Sequence, residues 1–464
     1  MTNDTPDNEV AGSPESSVPR VASTGALLSV GQELREGKPV PRRQILSWAL
    51  WDWGGASFNA VITTFVFTVY LTNTKGFGGT DFVSAQLGWW MGGAGIIIAV
   101  LAPITGQRSD GGRRKFWLGV NTFLVVLLSA MMFFVIPAPN FVYLGLLLVA
   151  AGTVFFEFAS VNYNAMLREI STPKSIGKIS GFGWSMGYFG GIVLLLILYF
   201  GFIHPDVGLF GVTSENGLSV RVSMLIAAGW FALFAIPILV AVPERRTPGG
   251  PKTRVGLISS YATLGRDIAK LWKTSRHTLR FFIASAIFRD GLTGVFTFGG
   301  ILAAGTFGFS AGDVIIFAIA ANVVAGISTV FVGLLDDRLG PKWVMVTAIS
   351  GTIAAGLAVF IFHAGGATVF WIFGLLLSAF VGPAQSASRS FLSRIVPPSR
   401  QGEMFGLYAT TGKAATFLAP VAFGLFVTIF GAQYWGILGI VLVLLVGLIL
   451  LLPVSTRAES HRIE

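Results

Sequence analysis

Cysteine is absent from these 464 residues. That excludes disulfide bridges, thiol nucleophiles and thiolate metal sites. Histidine is nearly absent too: His204, His277, His363 and His461 stand far apart and form no metal-ligand spacing. Charge is scarce, because Asp, Glu, Lys and Arg make up only 12% of the chain, against roughly 25% in soluble domains. The net charge is +10, but the basic residues are dispersed over many turns, which argues against a nucleic-acid-binding patch. Phosphate-loop spacing is missing as well. The run from Gly406 to Lys413 has one residue too many between its glycines, and Ala414 stands where a magnesium-binding hydroxyl belongs. Gly181, Gly183 and Gly187 miss the dinucleotide spacing by one residue. No metal, nucleotide or other cofactor is called for, and no nucleophile–His–acid set points to an enzyme.

What the chain does have is apolar length. It is 53% hydrophobic, and its apolar segments are about 20 residues long, the length of a bilayer-spanning helix. Backbone groups in lipid must be satisfied within the segment, so such stretches fold as helices. Barrel strands would be about half as long and would alternate polar with apolar residues. Twelve spans are expected, starting near Trp48, Leu87, Phe116, Phe141, Gly181, Val222, Phe281, Ala311, Lys342, Thr368, Met404 and Tyr434. The fold class is therefore all-α integral membrane.

The basic residues give an orientation. All 32 Lys and Arg except Lys75, Arg221, Arg289 and Lys413 fall on the tails, the central linker or every second turn. Lys/Arg-rich turns stay in the cytoplasm, so both termini are expected there, in a bacterial cytoplasmic membrane. Residues 1–43 read as a disordered polar tail, 44–243 as one six-helix bundle, 281–454 as a second, and 455–464 as a short tail. The basic stretch 244–280 joins the bundles, and 258–275 patterns as an amphipathic helix for the anionic inner leaflet.

The two halves repeat. Leu167, Ile170, Pro173, Gly177, Gly181 and Gly187 recur 225 residues later as Leu392, Ile395, Pro398, Gly402, Gly406 and Gly412. The turn after the second span runs from Gly106 through Asp110 to Arg113, Arg114 and Lys115. The turn after the eighth runs from Gly333 through Asp337 and Arg338 to Lys342. Glycine lets helices approach closely, and the acidic and basic side chains offer ion pairs that lock one conformer. These residues are the candidates for a cytoplasmic gate.

The duplicated turn resembles the loop signature of the major facilitator superfamily, over nearly the whole chain after residue 44. That resemblance implies two pseudo-symmetric six-helix bundles around a central cavity lined by helices 1, 4, 7 and 10. A narrower resemblance rests on Trp48-Ala-Leu-Trp51-Asp52-Trp53-Gly54-Gly55-Ala56 and on Phe288-Arg289-Asp290-Gly291-Leu-Thr-Gly294. Both segments are similar to those of the vacuolar amino-acid effluxer-like, autophagy-related family, whose first helix carries Ala-Asn where Gly54-Gly55 stand here.

Residues at i, i+4, i+7 and i+11 share a helix face. Helix 4 offers Thr153, Glu157, Ser160 and Asn164, and helix 10 offers Ser378, Gly382, Gln385 and Arg389. Helix 1 offers Asp52, Ala56, Asn59 and Thr63, and helix 7 offers Asp290, Gly294 and Thr297. A charge at the bilayer centre costs on the order of 3 kcal/mol, so Asp52, Glu157, Arg289, Asp290 and Lys413 should face a wet cavity or one another. The expected substrate- or proton-binding set is Asp52, Asn59, Glu157, Asn164, Arg289, Asp290, Gln385, Arg389 and Lys413. Within it, Glu157 is expected to carry a proton, and Asp52 or Asp290 to face Lys413. Trp48, Trp51 and Trp53 read as interfacial anchors, and most of the 40 Phe as lipid-facing bulk. The functional expectation is a monomeric secondary transporter of a small polar or zwitterionic solute, an amino acid, with protons as the coupling ion. The alternatives are a proton-coupled exporter of amphipathic compounds and a non-transporting sensor or scaffold.

Overall fold

A computed structural model describes residues 40–110, 114–170, 176–242, 275–395 and 401–455, together with 262, 265, 266, 269, 272 and 273. The N-terminal tail and most of the expected amphipathic linker lie outside these residues. Among the described residues, twelve helices are long and apolar enough to cross a membrane. In chain order they are α1 (Arg42–Asn73), α2 (Thr80–Asp110), α3 (Arg114–Met131), α4 (Val142–Met166), α5 (Ile176–Leu198) and α6 (Leu218–Ala241). The second six are α7 (Arg276–Gly305), α8 (Ala311–Leu339), α9 (Pro341–Ile361), α10 (Leu375–Ile395), α11 in two pieces (Gln401–Ala414 and Leu418–Phe430) and α12 (Gly436–Leu451).

Packing reproduces the duplication. In the first half, α1 packs on α5 and α6, α4 on α2 and α3, and α3 on α6. In the second, α7 packs on α11 and α12, α10 on α8 and α9, and α9 on α12. Each contact of one half recurs six helices later, the architecture of two pseudo-symmetric six-helix bundles.

Departures from regular geometry include two that bear on the site. In α1 the segment Ser57–Phe65 is a π-helix, with Val66 N–H bonded to Val61 C=O five residues back. Spacing rules based on 3.6 residues per turn fail from Ser57 onward. α11 breaks at residues 415–417. Pro420 causes the break: it has no N–H to offer Thr416 C=O, and its ring clashes with the carbonyl four residues before it.

The halves meet toward the end of the molecule opposite the basic turns. There α2 lies on α11, α1 on α7 and α5 on α8. The α2–α11 contact is backbone on backbone at two points: a methyl group on Gly88 would lie 2.7 Å from Gly424 Cα, and one on Gly95 would lie 2.7 Å from Phe417 Cα. On the α1–α7 seam, a methyl on Gly300 would lie 2.5 Å from Thr64 C=O and 3.3 Å from Val69 Cγ2.

The aromatic residues correct an expectation. Trp48 and Trp51 are buried at 2% and 1% exposure, inside the first bundle. Phe58, Phe67, Phe231, Phe281, Phe288, Phe298, Phe391 and Phe423 are among the largest fully buried side chains. Small helix-contact residues leave room for rings, so much of the Phe content builds the bundle cores.

Candidate functional site

The site begins with Asp52 in the first half of α1. Tyr163 of α4 lies against both Trp48 and Trp51, with ring centroids 4.4 Å away in each stack. Trp48 Nε1–H donates to Tyr163 C=O at 3.1 Å, and Trp51 Nε1–H donates to Thr122 Oγ1 at 3.1 Å. The ring so fixed donates its O–H to Asp52 Oδ2 at 2.9 Å. Stacks of this kind contribute about 0.5–1.5 kcal/mol beyond burial, so the phenol position is strongly set. Tyr163 was missed from sequence. It sits beside the polar stripe of α4, between Asn162 and Asn164, where an aromatic reads as packing.

Across the halves, Lys413 forms an ion pair with Glu157 of α4. The expectation that Lys413 faces Asp52 or Asp290 is thus corrected. Lys413 ends the first piece of α11, and the break that follows brings its side chain to the neighbouring bundle. The two side chains keep 30% and 21% of their surface exposed, so the pair stays in contact with water.

Asp290 takes a different part. It is 6% exposed, and its Oδ2 accepts a hydrogen bond of 2.6 Å from Ala419 N–H. That N–H opens the second piece of α11, where a helix start leaves donors without intrahelical partners. A carboxylate there also suits the helix dipole. Asp290 therefore anchors the break in α11 to α7.

Arg289 points elsewhere, as successive residues on a helix must. Its guanidinium lies 4.3 Å from the centroid of the Tyr408 ring. Gly412 leaves it space, since a methyl there would sit 2.9 Å from Nη1. Nη1 is buried without a hydrogen-bond partner among the described residues. Arg389 of α10 has Tyr408, Arg289 and Tyr188 of α5 as electrostatic neighbours. Tyr408 O–H and Ser388 Oγ share a hydrogen bond of 2.6 Å. One guanidinium thus lies over the phenol ring, and the second is its electrostatic neighbour.

The remaining stripe residues divide. Asn59 is exposed although α1 is otherwise almost wholly buried, so it faces an internal space. Its backbone C=O accepts from Thr63 and Thr64 Oγ1 at 2.9 and 2.8 Å. Asn164 is exposed and donates to Ser160 C=O at 2.8 Å. Gln385 is half-buried. Gly294 and Gly382 are helix contacts: a methyl on Gly294 would lie 2.8 Å from Ala419 Cβ, and one on Gly382 would lie 3.0 Å from Ala325 C=O. A methyl on Gly55 would meet the Phe156 ring at 3.2 Å. Position 55 therefore faces the first bundle's own aromatic core, and the missing Asn removes no group from the space between the halves. A separate cavity of about 50 Å³ inside the second bundle is apolar, lined by Val295, Phe317, Gly356 and Ile440 among others.

The expected gate is only partly described. Arg114 pairs with Glu169 at 3.1 Å and donates to Ala165 C=O at 3.3 Å, both within its own half. Lys342 donates to Leu452 and Val454 C=O, each at 2.7 Å. It caps the end of α12, where carbonyls lack partners and a cation is favoured. These contacts of Arg114 and Lys342 lie within one half each. Gly106 and Gly333 lie within α2 and α8, while the side chains of Asp110, Asp337 and Arg338, and all of Arg113, lie outside the described residues.

With this geometry in place, similarity to known proteins can be weighed. Residues 168–462 match the family described as Vacuole effluxer Atg22 like. The chain is 25% identical over 422 residues to the uncharacterized MFS-type transporter YxiO of Bacillus subtilis, covering 90% of this chain and 96% of that one. It is 25% identical over 310 residues to Autophagy-related protein 22 of Cryptococcus neoformans, spanning 63% of this chain and 55% of that one. It thus spans about half the length of that fungal relative. Among solved structures, the D-xylose-proton symporter superposes with a TM-score of 0.63 at 15% identity, over 90% of this chain and 98% of that one. A bacterial homologue of the human lysosomal transporter Spinster, inward-facing and unoccupied, superposes with a TM-score of 0.59 at 15% identity, over 88% and 93%. These likenesses fix the fold.

Proposed function

The chain belongs to the Vacuole effluxer Atg22 like family, and on that premise we propose that it moves a small carboxylate-bearing solute, an amino acid, by proton-linked alternating access. It is a membrane transporter of the major facilitator type and not an enzyme. The observation that carries the reading is the Arg289 guanidinium over the Tyr408 ring, with Nη1 buried and unpartnered among the described residues and Arg389 as an electrostatic neighbour. Guanidinium groups bind carboxylates through paired N–H bonds. Lys413 is already matched by Glu157, so the carboxylate falls to the arginines and not to Lys413. Asn59, Asn164 and Gln385 supply neutral polar groups to the same space, and Asp52 is the acid for an ammonium group.

In this reading a proton on Glu157 frees Lys413 and loosens the two halves. The basic turns face the cytoplasm with both termini, and the protein works as a monomer in a bacterial cytoplasmic membrane. The seams on the opposite side then close the outward face, leaving the arginine pair reachable from within.

The test is a ligand-induced thermal-shift comparison of an amino acid, its amide and its deaminated acid. A ligand at 100 times its dissociation constant adds about 2.7 kcal/mol, a readable shift. The amino acid and the deaminated acid should stabilise the protein, the amide should not, and Arg389→Ala should abolish the response. Stabilisation by hydrophobic cations alone would replace this reading with an exporter of amphipathic compounds.

A further inference from the structure

At the end opposite the basic turns, one side chain joins the two halves. Gln433 stands just before α12 and is 2% exposed. Its backbone N–H donates to Asp81 Oδ1 of α2 at 2.5 Å, and its Nε2 donates to Ser84 Oγ of α2 at 2.8 Å. Its Oε1 accepts from Thr306 Oγ1, at the end of α7, at 2.9 Å. Two bonds thus cross to the first half and one stays in the second. Nearby, Trp89 Nε1–H of α2 donates to Thr428 Oγ1 of α11 at 3.1 Å. Asn73, at the end of α1, spends its amide N–H groups on Val69 C=O and Thr72 Oγ1, and its Oδ1 is buried without a partner among the described residues. A methyl on Gly305 would lie 2.5 Å from that oxygen. A buried amide oxygen without a donor is unfavourable and would gain water once the halves part. One set of contacts holds this end shut, and an adjacent group gains from its opening.

We propose that Gln433 is the latch of the outward gate. Its side-chain bond to Ser84 and its backbone bond to Asp81 hold the carrier closed on that face, and they break once in each cycle. The latch involves no cation, so opening it leaves no unpaired basic group behind. The proposal rests on alternating access and is independent of which solute is carried.

The chain has no native cysteine, so a single engineered thiol reports gate opening. Val69→Cys is a suitable position, 5% exposed in the α1–α7 seam. The measurement is its reaction rate with a membrane-impermeant maleimide added from outside to cells expressing the full chain. Adding Gln433→Leu should raise the rate about tenfold, the change that about 1.4 kcal/mol produces. Ser84→Ala removes the crossing bond from the other partner and should raise the rate in the same direction, which keeps the test valid if the leucine variant folds poorly. Thr306→Val removes only the bond within the second half and should label near the parental rate. Parental labelling in both Gln433→Leu and Ser84→Ala, with lowered thermal stability, would make the network a packing feature and overturn the proposal. Equal opening by Thr306→Val would also overturn it. Because labelling needs no substrate, a gate that opens in a protein that moves nothing would sink the transport reading and leave the latch standing.

Discussion

Removing either member of the Glu157–Lys413 pair should harm the protein more than removing both. Fully buried pairs lose about 3–5 kcal/mol when one partner is deleted, while exposed pairs contribute about 0.2–1 kcal/mol. Here the side chains keep 21% and 30% of their surface exposed, which places the pair between these limits. Lys413→Met or Glu157→Gln alone should therefore cost about 1–2 kcal/mol. The double variant strands no charge and should recover most of that loss, giving a coupling energy of at least about 1 kcal/mol. The assay is thermal unfolding of the four purified proteins in one detergent, closed as a double-mutant cycle. Proton-driven uptake into vesicles adds a second readout, in which Glu157→Gln should bind substrate but lose its response to a pH gradient. If the double variant loses the sum of the two single losses, the pair is not coupled. The bridge between the halves would then carry none of the energy assigned to it.

The other expectations are more local. Cysteines placed near Gly78, Gly211 or Gly366 should react with an impermeant reagent applied to intact cells, while those near Gly250 or Gly340 should not; the reverse pattern inverts the orientation. Asp290→Ala should cost about 1.5–3 kcal/mol through the lost charged hydrogen bond to Ala419 N–H, and Asp290→Asn, which keeps an acceptor, should cost less in thermal unfolding. Equal stability of both variants and the parent would show that the cap does not hold α11. Tyr163→Phe should cost about 1.5–3 kcal/mol by freeing Asp52 while leaving the near-ultraviolet dichroism of the tryptophan stack unchanged. Loss of that signal would mean the O–H bond, and not the stacking, positions the ring.

The coarse architecture was legible in the sequence because its signals are local. A span needs only apolar length, and the 225-residue repeat of Leu167, Ile170 and Gly187 reappears as matching helix contacts in the two halves. The break in α11 is also written in the chain, at Pro420. The partner of Lys413 was not legible, since Glu157 lies 256 residues away and the choice depends on how the two bundles sit against each other. The roles of the stripe residues divide for a similar reason. Gly294 and Gly382 share a spacing with Asp290 and Arg389, but only tertiary packing decides that they touch α11 and α8. Trp48 and Trp51 were misplaced because an indole near a helix end serves a membrane surface or a bundle core equally well until its neighbours are known. Tyr163 was missed because its function comes from those two indoles, and spacing on its own helix carries no sign of them.

The bare backbone contact where Gly88 meets Gly424 and Gly95 meets Phe417 bears on speed as well as shape. Interlocked side chains act like gear teeth: each must lift out of its socket before two helices can slide, and each lift adds a small barrier. Where main chain lies on main chain the teeth are fewer, and on this seam they reduce to such contacts as Val421 Cγ2 against Gly92 and the Trp89–Thr428 bond. Such a seam lets a carrier turn over quickly without loosening its bundles. Bulk added at Gly88 would then slow the rocking step even in a variant that binds its solute normally.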